Sequence, residues 1–409
     1  MGPTTSATAS ATASSTTRDD HRSADVVVIG GGVIGLACAW RAANRGLRAL
    51  VVDPAPGNGA SWAAAGMLAP VTEAHYGEEA LIRLNLASAR AWPGFAAELG
   101  EAASAEVGYQ ACGTLAVAHD SGDMAALKAL YAFQRSLGLP SEMVGRSRAR
   151  ELEPLLSPAI RGGLLAAGDH QVHTRALVQA LLVATRRSGV DLLAGPVAAV
   201  TTSHDRVTGV RFADGTQLAA GQVLLAAGCW SGHIAGVPPE AVPPVRPVKG
   251  VILRLRAQAP RPSAEPPRPI LSRNLRGLVR GSSIYLVPRA DGTVVVGATV
   301  EEQGFDTTVR AGSVADLLRD ARCLLPAVDE LALVEAHAGL RPGSPDNAPL
   351  LGQTGMDGLV IATGHFRNGI LLAPVTADAI AQLLDEGTTP ELIAPFSPQR
   401  WQPAGATVR

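Results

Sequence analysis

Residues 25–53 read DVVVIGGGVIGLACAWRAANRGLRALVVD, and this stretch decides the fold. The β-branched run from Val26 to Ile29 is typical of a buried parallel strand. Residues 33–45 are predicted to form a helix that Gly46 ends, and residues 48–52 a second strand. The stretch therefore predicts the first β-α-β unit of a doubly wound α/β domain.

The turn between strand and helix carries a dinucleotide fingerprint. Gly30, Gly32 and Gly35 form GxGxxG, and an acid follows about 20 residues later at Asp53. The glycines let the backbone approach a pyrophosphate at the positive end of the helix, and Asp53 would accept hydrogen bonds from a ribose. The alternative is a glycine turn followed by an incidental aspartate.

The segment after Asp53 bears on which dinucleotide binds. Residues 54–70, PAPGNGASWAAAGMLAP, are mostly small and would let the backbone pass close to a bulky flat ligand. An alanine-rich helix start with Ser61 as its N-cap is the alternative interpretation, and the two are compatible. Because no second GxGxxG follows, a separate NAD(P)H domain is not expected, and a bound flavin would have to be reduced by the substrate itself.

The amino-acid composition limits the classes of partner that the chain is expected to bind. The chain has 409 residues, 47% of them hydrophobic, which is enough for two domains, and a net charge of −1 that favours neither nucleic acid nor an anionic membrane. The four cysteines lie far apart without CxxC, so no metal site is predicted.

Residues 1–24 are rich in Ser, Thr and Ala and are predicted to be a disordered tail. Without a secretory or membrane-spanning apolar run, we expect a cytoplasmic protein; a transit peptide is the less favoured alternative.

The remaining chain suggests a nucleotide domain interrupted by a second domain. Helices are predicted at 80–100, 121–138 and 174–187, a strand at 109–120, a β-meander after residue 190, and an antiparallel sheet from 248 to 300. A strand at 359–363 followed by a glycine turn and a helix returns to the nucleotide domain. The predicted boundaries are 25–85, 151–240 and 336–395 for that domain, 86–150 and 241–335 for a substrate domain, and 396–409 for a C-terminal tail.

Five motifs together carry a family resemblance: VVVIGGGVIGLACAW, GASWAAAGML, YLVPRADGTVVVGAT, GLRPGSPDNAPLLG and GHFRNGILLAP. With them the chain, over residues 25–395, resembles the D-amino-acid oxidase superfamily of FAD-dependent amine oxidoreductases, and within it the glycine oxidases of thiamine biosynthesis. The resemblance implies an α/β fold, with a Rossmann-like FAD-binding domain plus an α+β substrate domain whose antiparallel sheet covers the flavin. It also implies hydride transfer from the amino-acid Cα to flavin N5, giving an imine that feeds thiazole formation or hydrolyses to glyoxylate and ammonia. Oxygen then reoxidises the flavin and yields hydrogen peroxide.

The resemblance assigns three catalytic residues. Arg341 in GLRPG matches the arginine that binds the substrate carboxylate; the alternative is a surface arginine after a strand. Tyr285 in IYLVPR matches the tyrosine that faces the substrate, although an aromatic residue in a strand also suits a core. Arg367 in GHFRNG matches an arginine close to both flavin and substrate.

The resemblance also assigns the contacts to a non-covalently bound FAD. His365 is expected to contact the flavin through its backbone rather than to act as a base. The full predicted set is Gly30, Gly32, Val33, Ile34, Gly35, Asp53, Ala60, Ser61, Ala65, Gly66, Met67, Val197, Gly228, His365, Phe366, Arg367, Asn368, Gly369, Ile370 and Leu371.

Departures from related families refine these expectations. Ala63 follows the Ser-Trp pair where tethering relatives have a histidine, and GLRPG has no neighbouring cysteine, so no covalent flavin bond is expected. Ser283 and Val300 are small, so sarcosine, N-ethylglycine or D-alanine are expected substrates beside glycine. The alternatives are a sarcosine or D-amino-acid oxidase or dehydrogenase, and a flavin carrier without turnover. Homotetramers are usual in the family.

Overall fold

The computed structural model describes residues 23–238, 241, 245–257 and 269–400. Most of the predicted N-terminal tail, residues 1–22, lies outside the described residues, as do residues 401–409 of the predicted C-terminal tail. None of the helices in the described ranges combines the length and the apolarity that crossing a bilayer requires.

The described residues form strands and helices that mostly alternate up to α6, after which strands follow one another in groups. The strands are β1 (Ser23–Ile29), β2 (Ala49–Asp53), β3 (Met67–Leu68), β4 (Tyr109–Gln110), β5 (Thr114–Ala118), β6 (Glu142–Gly145), β7 (Gly162–Ala166), β8 (His170–Val172), β9 (Asp191–Ala194), β10 (Val197–Ser203), β11 (Arg206–Phe212), β12 (Gln217–Leu225), β13 (Arg246–Ala257), β14 (Asn274–Val279), β15 (Ser282–Pro288), β16 (Thr293–Gly297), β17 (Leu331–Gly343), β18 (Leu350–Gln353) and β19 (Leu359–Thr363). The α-helices are α1 (Val33–Asn44), α2 (Ala60–Ala63), α3 (Glu79–Ala103), α4 (Ser121–Ser136), α5 (Arg146–Leu152), α6 (Thr174–Arg187), α7 (Ala311–Leu324) and α8 (Ala373–Glu386).

The first sheet has the order β10-β11-β12-β1-β2-β9, with β19 beside β12 and β18 beside β19. Strands β9, β2, β1, β12 and β19 run parallel, whereas β10, β11 and β12 form an antiparallel meander. Helices α1, α3, α6 and α8 contribute to one continuous hydrophobic core against the parallel strands. The parallel strands place their carboxyl ends, where nucleotides bind in such folds, along one edge.

The second sheet has the order β17-β13-β16-β15-β14-β5-β7-β6 and covers that edge. All of its pairs are antiparallel except β14 with β5. Side chains alternate between its faces: Val251 and Leu253 pack with α7, whereas Ile252 packs with Ala65 of the first unit. This arrangement confirms the predicted fold class, a Rossmann-like unit plus an antiparallel-sheet unit.

Several predicted elements differ from the structure in instructive ways. The strand predicted at 109–120 is two strands, β4 and β5, because Gly113 between them adopts a left-handed φ of 75°. Strand β7 lies in the second sheet, although the predicted boundaries place residues 151–240 in the nucleotide domain. Helix α6 and strand β19 have the bounds predicted from the sequence. The domain boundaries themselves stay a prediction.

Helix α6 begins with an unusual cap that makes stability depend on pH. Nδ1 of His173 accepts a hydrogen bond from the Ala176 amide at 3.1 Å, so the ring must be neutral. Burial, with the nearby cations Arg289 and Arg254, lowers the pKa of His173 to about 4. In the unfolded chain the pKa of histidine is about 6.5. The folded state therefore binds fewer protons, and stability is lost as the pH falls from about 6.5 to 4.

We expect His173→Asn to remove this pH dependence while retaining the cap, because asparagine is a good N-cap that does not titrate. Between pH 7.5 and 4.5 the wild type should lose roughly 1–2 kcal/mol more unfolding free energy than the variant. Urea unfolding of both proteins at the two pH values measures the difference. Parallel losses in the two proteins would show that His173 is not the titrating group.

Candidate active site

A cavity of about 1050 Å³ lies between the two sheets. It begins at the carboxyl ends of β1 and β2 and extends under the second sheet to Tyr285 and Arg341. Ligand pockets typically enclose about 300–1,000 Å³, so this volume suits a large cofactor together with a small substrate. The same cavity thus joins the predicted nucleotide site to the predicted substrate site.

Most of the predicted residues line this cavity, including the three predicted catalytic ones. Gly35, Asn368 and Leu371 do not line it; Gly35 packs against the Gly30 carbonyl, and the Leu371 carbonyl accepts hydrogen bonds from Ser88 and Trp92. The predicted contacts on the cavity wall are Gly30, Gly32, Val33, Ile34, Asp53, Ala60, Ser61, Ala65, Gly66, Met67, Val197, Gly228, His365, Phe366, Arg367, Gly369 and Ile370.

The glycine turn leaves no room for side chains at Gly30 and Gly35. Gly30 has a φ of 111°, and a Cβ there would lie 2.4 Å from the Ala226 carbonyl oxygen. A Cβ on Gly35 would lie 1.9 Å from the Gly30 oxygen. The turn therefore brings the N-terminus of α1 directly to the cavity, where a pyrophosphate would meet helix amides.

Ser61 corrects one sequence interpretation. Helix α2 begins at Ala60 with Gly59 as N-cap, so Ser61 does not cap its own helix, as the alternative interpretation held. Its Oγ instead accepts a hydrogen bond from the Val33 amide at 3.0 Å, at the start of α1. The hydroxyl thereby ties the segment of small residues to the nucleotide turn, a long-range contact that no local pattern reveals.

Asp53 connects the two loops at the nucleotide end. Its carboxylate accepts hydrogen bonds from the amides of Gly31 and Ala55, each at 2.7 Å. A carboxylate has about four lone-pair sites, so both oxygens keep capacity for ribose hydroxyls. With the closed glycine turn, this donor and acceptor set fits an FAD.

Arg341 lies under the second sheet without an acidic partner. Its Nη1 donates to the Thr299 carbonyl at 3.1 Å and approaches the Lys249 carbonyl at 3.5 Å. The guanidinium covers Gly250, where a Cβ would lie 2.4 Å from Nη1. Within the part of the chain that the structure describes, no carboxylate lies within ion-pair distance. The arginine is therefore oriented by neutral carbonyls and can pair with an added anion.

Tyr285 stands beside Arg341. Its hydroxyl lies over Gly297 of the neighbouring strand, where a Cβ would be 2.4 Å from the oxygen. Burial raises the pKa of Tyr285, and the charge of Arg341 offsets only part of the rise. The phenol is therefore neutral and able to donate a hydrogen bond to an anion.

Arg367 belongs to an ion-pair network that the sequence did not reveal. Its Nη2 donates to Glu78 at 2.5 Å and its Nε lies 3.8 Å from Glu73, which also pairs with Arg276. Both acids belong to the segment that follows the small residues, TEAHYGEE at 72–79, and this acidic composition was the available signal. Burial and the charge of Arg367 lower the pKa of His75 in the same segment.

His365 is unsuited to be a base. The side chain is 3% exposed, and its Nε2 lies 3.2 Å from the Thr376 hydroxyl in α8. Burial lowers its pKa to about 3, so the ring stays neutral. Cys229, which lines the cavity, is similarly inert, because burial raises its thiol pKa to about 12.

Arg289, which lies in the motif YLVPRADGTVVVGAT and has no role predicted from the sequence, supports the segment of small residues that lines the cavity. The buried guanidinium donates to Gln171 Oε1 at 2.5 Å, to the Val172 carbonyl at 3.1 Å and to the Ala65 carbonyl. These bonds join the second sheet to residues 65–67. The signal in the sequence was an arginine directly after a run of apolar strand residues.

We expect Arg289→Met to reduce the free energy of unfolding by roughly 2–4 kcal/mol, because three buried acceptors lose a charged donor. The protein should also retain less FAD. Arg256→Met is the matched control, since Arg256 is half exposed and pairs only at the surface, where such pairs contribute little. Equal unfolding midpoints for the two variants in urea would contradict the supporting role of Arg289.

The fold and site define a class. A Rossmann-type dinucleotide site that opens toward a sheet bearing an unpaired arginine is the arrangement of a flavoprotein oxidoreductase acting on an anionic substrate. The chain belongs to the DAO family of FAD-dependent oxidoreductases, whose model matches residues 25–383. FAD is therefore its cofactor. In the described residues no group of three or more His, Cys, Asp or Glu is arranged to hold a metal ion.

The chain is also similar to three individual proteins. The chain is similar to the solved glycine oxidase of Geobacillus kaustophilus, with 32% identity, a TM-score of 0.84, and coverage of 93% of this chain and 99% of that one. It is 33% identical to the bifunctional protein ThiO/ThiG of Trichormus variabilis over 94% of this chain, and spans 56% of that relative's length. It is 32% identical to the hydrogen cyanide synthase subunit HcnC of Pseudomonas aeruginosa, covering 95% of this chain and 99% of HcnC.

Proposed function

We propose that the chain is a glycine oxidase. Glycine is oxidised at Cα to an imine, which hydrolyses to glyoxylate and ammonia, while oxygen is reduced to hydrogen peroxide. The observation that carries the proposal is the Arg341 guanidinium, which faces the cofactor cavity and is oriented by backbone carbonyls. The carboxylate of a small amino acid would supply the anionic partner that this guanidinium lacks among the described residues.

Three side chains have separate roles in binding and orienting the substrate. Arg341 binds the substrate carboxylate bidentately, and the neutral Tyr285 donates a second contact to it. Together they would hold the substrate in one orientation toward the cofactor. Arg367, on the loop that opens α8, lines the same cavity and would contact both cofactor and substrate, with its charge moderated by Glu78.

FAD, when bound, takes two electrons from the substrate and passes them to oxygen. The N-terminus of α1 would hold its pyrophosphate, Asp53 its ribose, and Val197 its adenine, with the predicted residues at 60–67 and 365–371 along the flavin. The absence of a histidine at position 63 and the buried, protonated thiol of Cys229 support a non-covalent cofactor. Denaturation should therefore release free FAD.

The substrate range extends to amino acids that carry a small substituent on the nitrogen or on Cα. Ser283 and Val300 line the cavity and are both exposed, Val300 at 71%. This side of the pocket leaves room for the methyl groups of sarcosine and D-alanine. Glycine remains the preferred substrate in this proposal, in line with the glycine oxidase relatives.

The similarity to ThiO/ThiG supports a role in thiazole formation for thiamine biosynthesis. We also propose a cytoplasmic homotetramer, which rests on the family resemblance alone. Size-exclusion chromatography with light scattering tests the oligomer.

The test of the function is the visible spectrum of the purified protein under anaerobic conditions. Glycine should bleach the flavin bands, and air should restore them with release of hydrogen peroxide. If bound FAD stays oxidised with glycine but bleaches with sarcosine or D-alanine, that amine would replace glycine as the proposed substrate. Flavin that none of these amines reduces would reject the oxidase proposal.

One alternative is a sarcosine or D-amino-acid dehydrogenase that passes its electrons to a quinone or another carrier, and the similarity to a protein named as a synthase subunit is compatible with it. The same experiment separates the two functions. A dehydrogenase would bleach with glycine but recover slowly in air, and an added artificial electron acceptor would restore the bands. A pure flavin carrier would show no response to glycine.

A further inference from the structure

Lys249 is a buried cation outside the cavity. Gly250 lines the cavity, so the alternation along β13 directs the Lys249 side chain to the opposite face of the sheet, where it is 0% exposed. Its Nζ lies 2.9 Å from Glu301 Oε2, 3.3 Å from Gln303 Oε1 and 3.1 Å from the Thr308 carbonyl. An ammonium has three donors, and each has an acceptor here.

Glu301 completes the pair from the segment that follows β16. The backbones of Lys249 and Glu301 exchange two hydrogen bonds, at 2.8 and 3.0 Å. The carboxylate also accepts a hydrogen bond from Ser313 at 3.0 Å. Burial pushes the pKa of Glu301 upward, but the polar groups of Lys249, Thr299 and Ser313 outweigh it, and the pKa is lowered overall. The carboxylate is therefore ionised.

Thr299 connects this pair to the opposite face of the sheet. Its hydroxyl accepts a hydrogen bond from the Val251 amide at 2.9 Å and helps to lower the pKa of the nearby Glu301 carboxyl. Its carbonyl accepts the bond from Arg341 Nη1 at 3.1 Å, and the Lys249 carbonyl lies 3.5 Å from the same nitrogen. The two carbonyls that orient Arg341 are those of Lys249, a member of the ion pair, and of Thr299, two residues before Glu301.

We propose that the Lys249–Glu301 ion pair is a positioning element for Arg341. From the far side of the sheet it fixes the Thr299 carbonyl, so that the guanidinium presents its remaining N–H groups to the substrate carboxylate. This inference rests on the proposed function, in which Arg341 binds that carboxylate. Neither Lys249 nor Glu301 lines the cavity, so both are positioning residues rather than catalytic ones.

Two energetic considerations support the assignment. Burying an ammonium is costly unless it is paired and fully hydrogen-bonded. A gain in folding stability is therefore a weak explanation for the presence of this ion pair. A bidentate arginine contact depends on the angle of the planar fork, and binding sites need geometry held within about 0.5 Å. A rigid ion pair two residues from the orienting carbonyl supplies that precision.

The test compares Glu301→Gln, and the double variant Lys249→Met with Glu301→Gln, with the wild type as FAD-loaded proteins. Acetate serves as a non-reacting carboxylate, and its Kd is read from the flavin absorbance. We expect the Kd for acetate and the KM for glycine to rise about tenfold or more, with FAD content retained and kcat changed less. Glu301→Gln keeps an acceptor for Nζ but leaves the buried ammonium without a counter-charge, whereas the double variant removes both charges and so avoids that folding penalty.

The matched control is Glu335→Gln. Glu335 lies on β17, the strand of Arg341, and pairs with Arg175 and Arg254 without contacting Thr299. This variant should lower the Tm while leaving the acetate Kd unchanged.

An acetate Kd within twofold of the wild type in both test variants, with a Tm loss like that of Glu335→Gln, would overturn the positioning role alone. A wild type whose flavin spectrum responds to neither acetate nor glycine would overturn the carboxylate contact at Arg341, and with it both this inference and the proposed function.

Discussion

Arg341→Ala should lose glycine oxidation while retaining FAD. The guanidinium is the only cation that the second sheet presents to the cavity without an acidic partner among the described residues, so no neighbour replaces it. Truncating one partner of a desolvated, hydrogen-bonded charge pair costs about 2–5 kcal/mol, or roughly 30- to 5,000-fold in kcat/KM. Anaerobic stopped-flow reduction of the flavin by glycine measures the loss.

Arg341→Lys refines this experiment, because lysine keeps the charge but not the planar fork. Turnover should remain well below that of the wild type. Arg256→Ala serves as control, since Arg256 lies on β13 of the same sheet and pairs with Asp291 at the surface. Near-normal reduction in Arg341→Ala would remove Arg341 from the substrate site and leave the FAD assignment intact.

Asp53→Ala should weaken FAD binding strongly. The carboxylate orders the amides of Gly31 and Ala55 and faces the cavity, so its loss releases two loops as well as the ribose contact. Each hydrogen bond to a charged group contributes about 1.5–3 kcal/mol. Fluorescence of FAD released during dialysis, or titration of the apoprotein, gives the Kd.

Asp53→Asn should be intermediate, because the amide keeps one acceptor oxygen. Asp214→Ala is a suitable control, since Asp214 is exposed and accepts a bond only within its own turn. FAD retention by Asp53→Ala equal to that of the control would show that the ribose lies elsewhere.

Local patterns predicted the nucleotide turn and the bounds of α6 and β19, because glycine geometry and hydrophobic periodicity are encoded in neighbouring residues. Arg341 was identifiable because an arginine among small and apolar residues needs a partner. The interpretation of Ser61 as a local N-cap was wrong, because its hydroxyl bonds to Val33 across 28 positions.

The residues that the sequence did not reveal act over still longer separations. The pair of Arg276 with Glu73 joins positions 203 residues apart, and that of Arg367 with Glu78 joins positions 289 apart. Lys249 was noticeable as one of two lysines, but its burial depends on how β13 meets the segment after β16. A single sequence carries no signal for which charges meet once the two sheets pack together.

The two glycines under the proposed substrate site bear on how this enzyme can diverge. Gly250 lies under the Arg341 guanidinium and Gly297 under the Tyr285 phenol, and a methyl group at either position would collide with those side chains. A substitution there would displace the two groups that we propose contact the substrate. We therefore expect selection for new amines to act at the exposed positions Ser283 and Val300, where side chains can grow without displacing the residues proposed to hold the carboxylate.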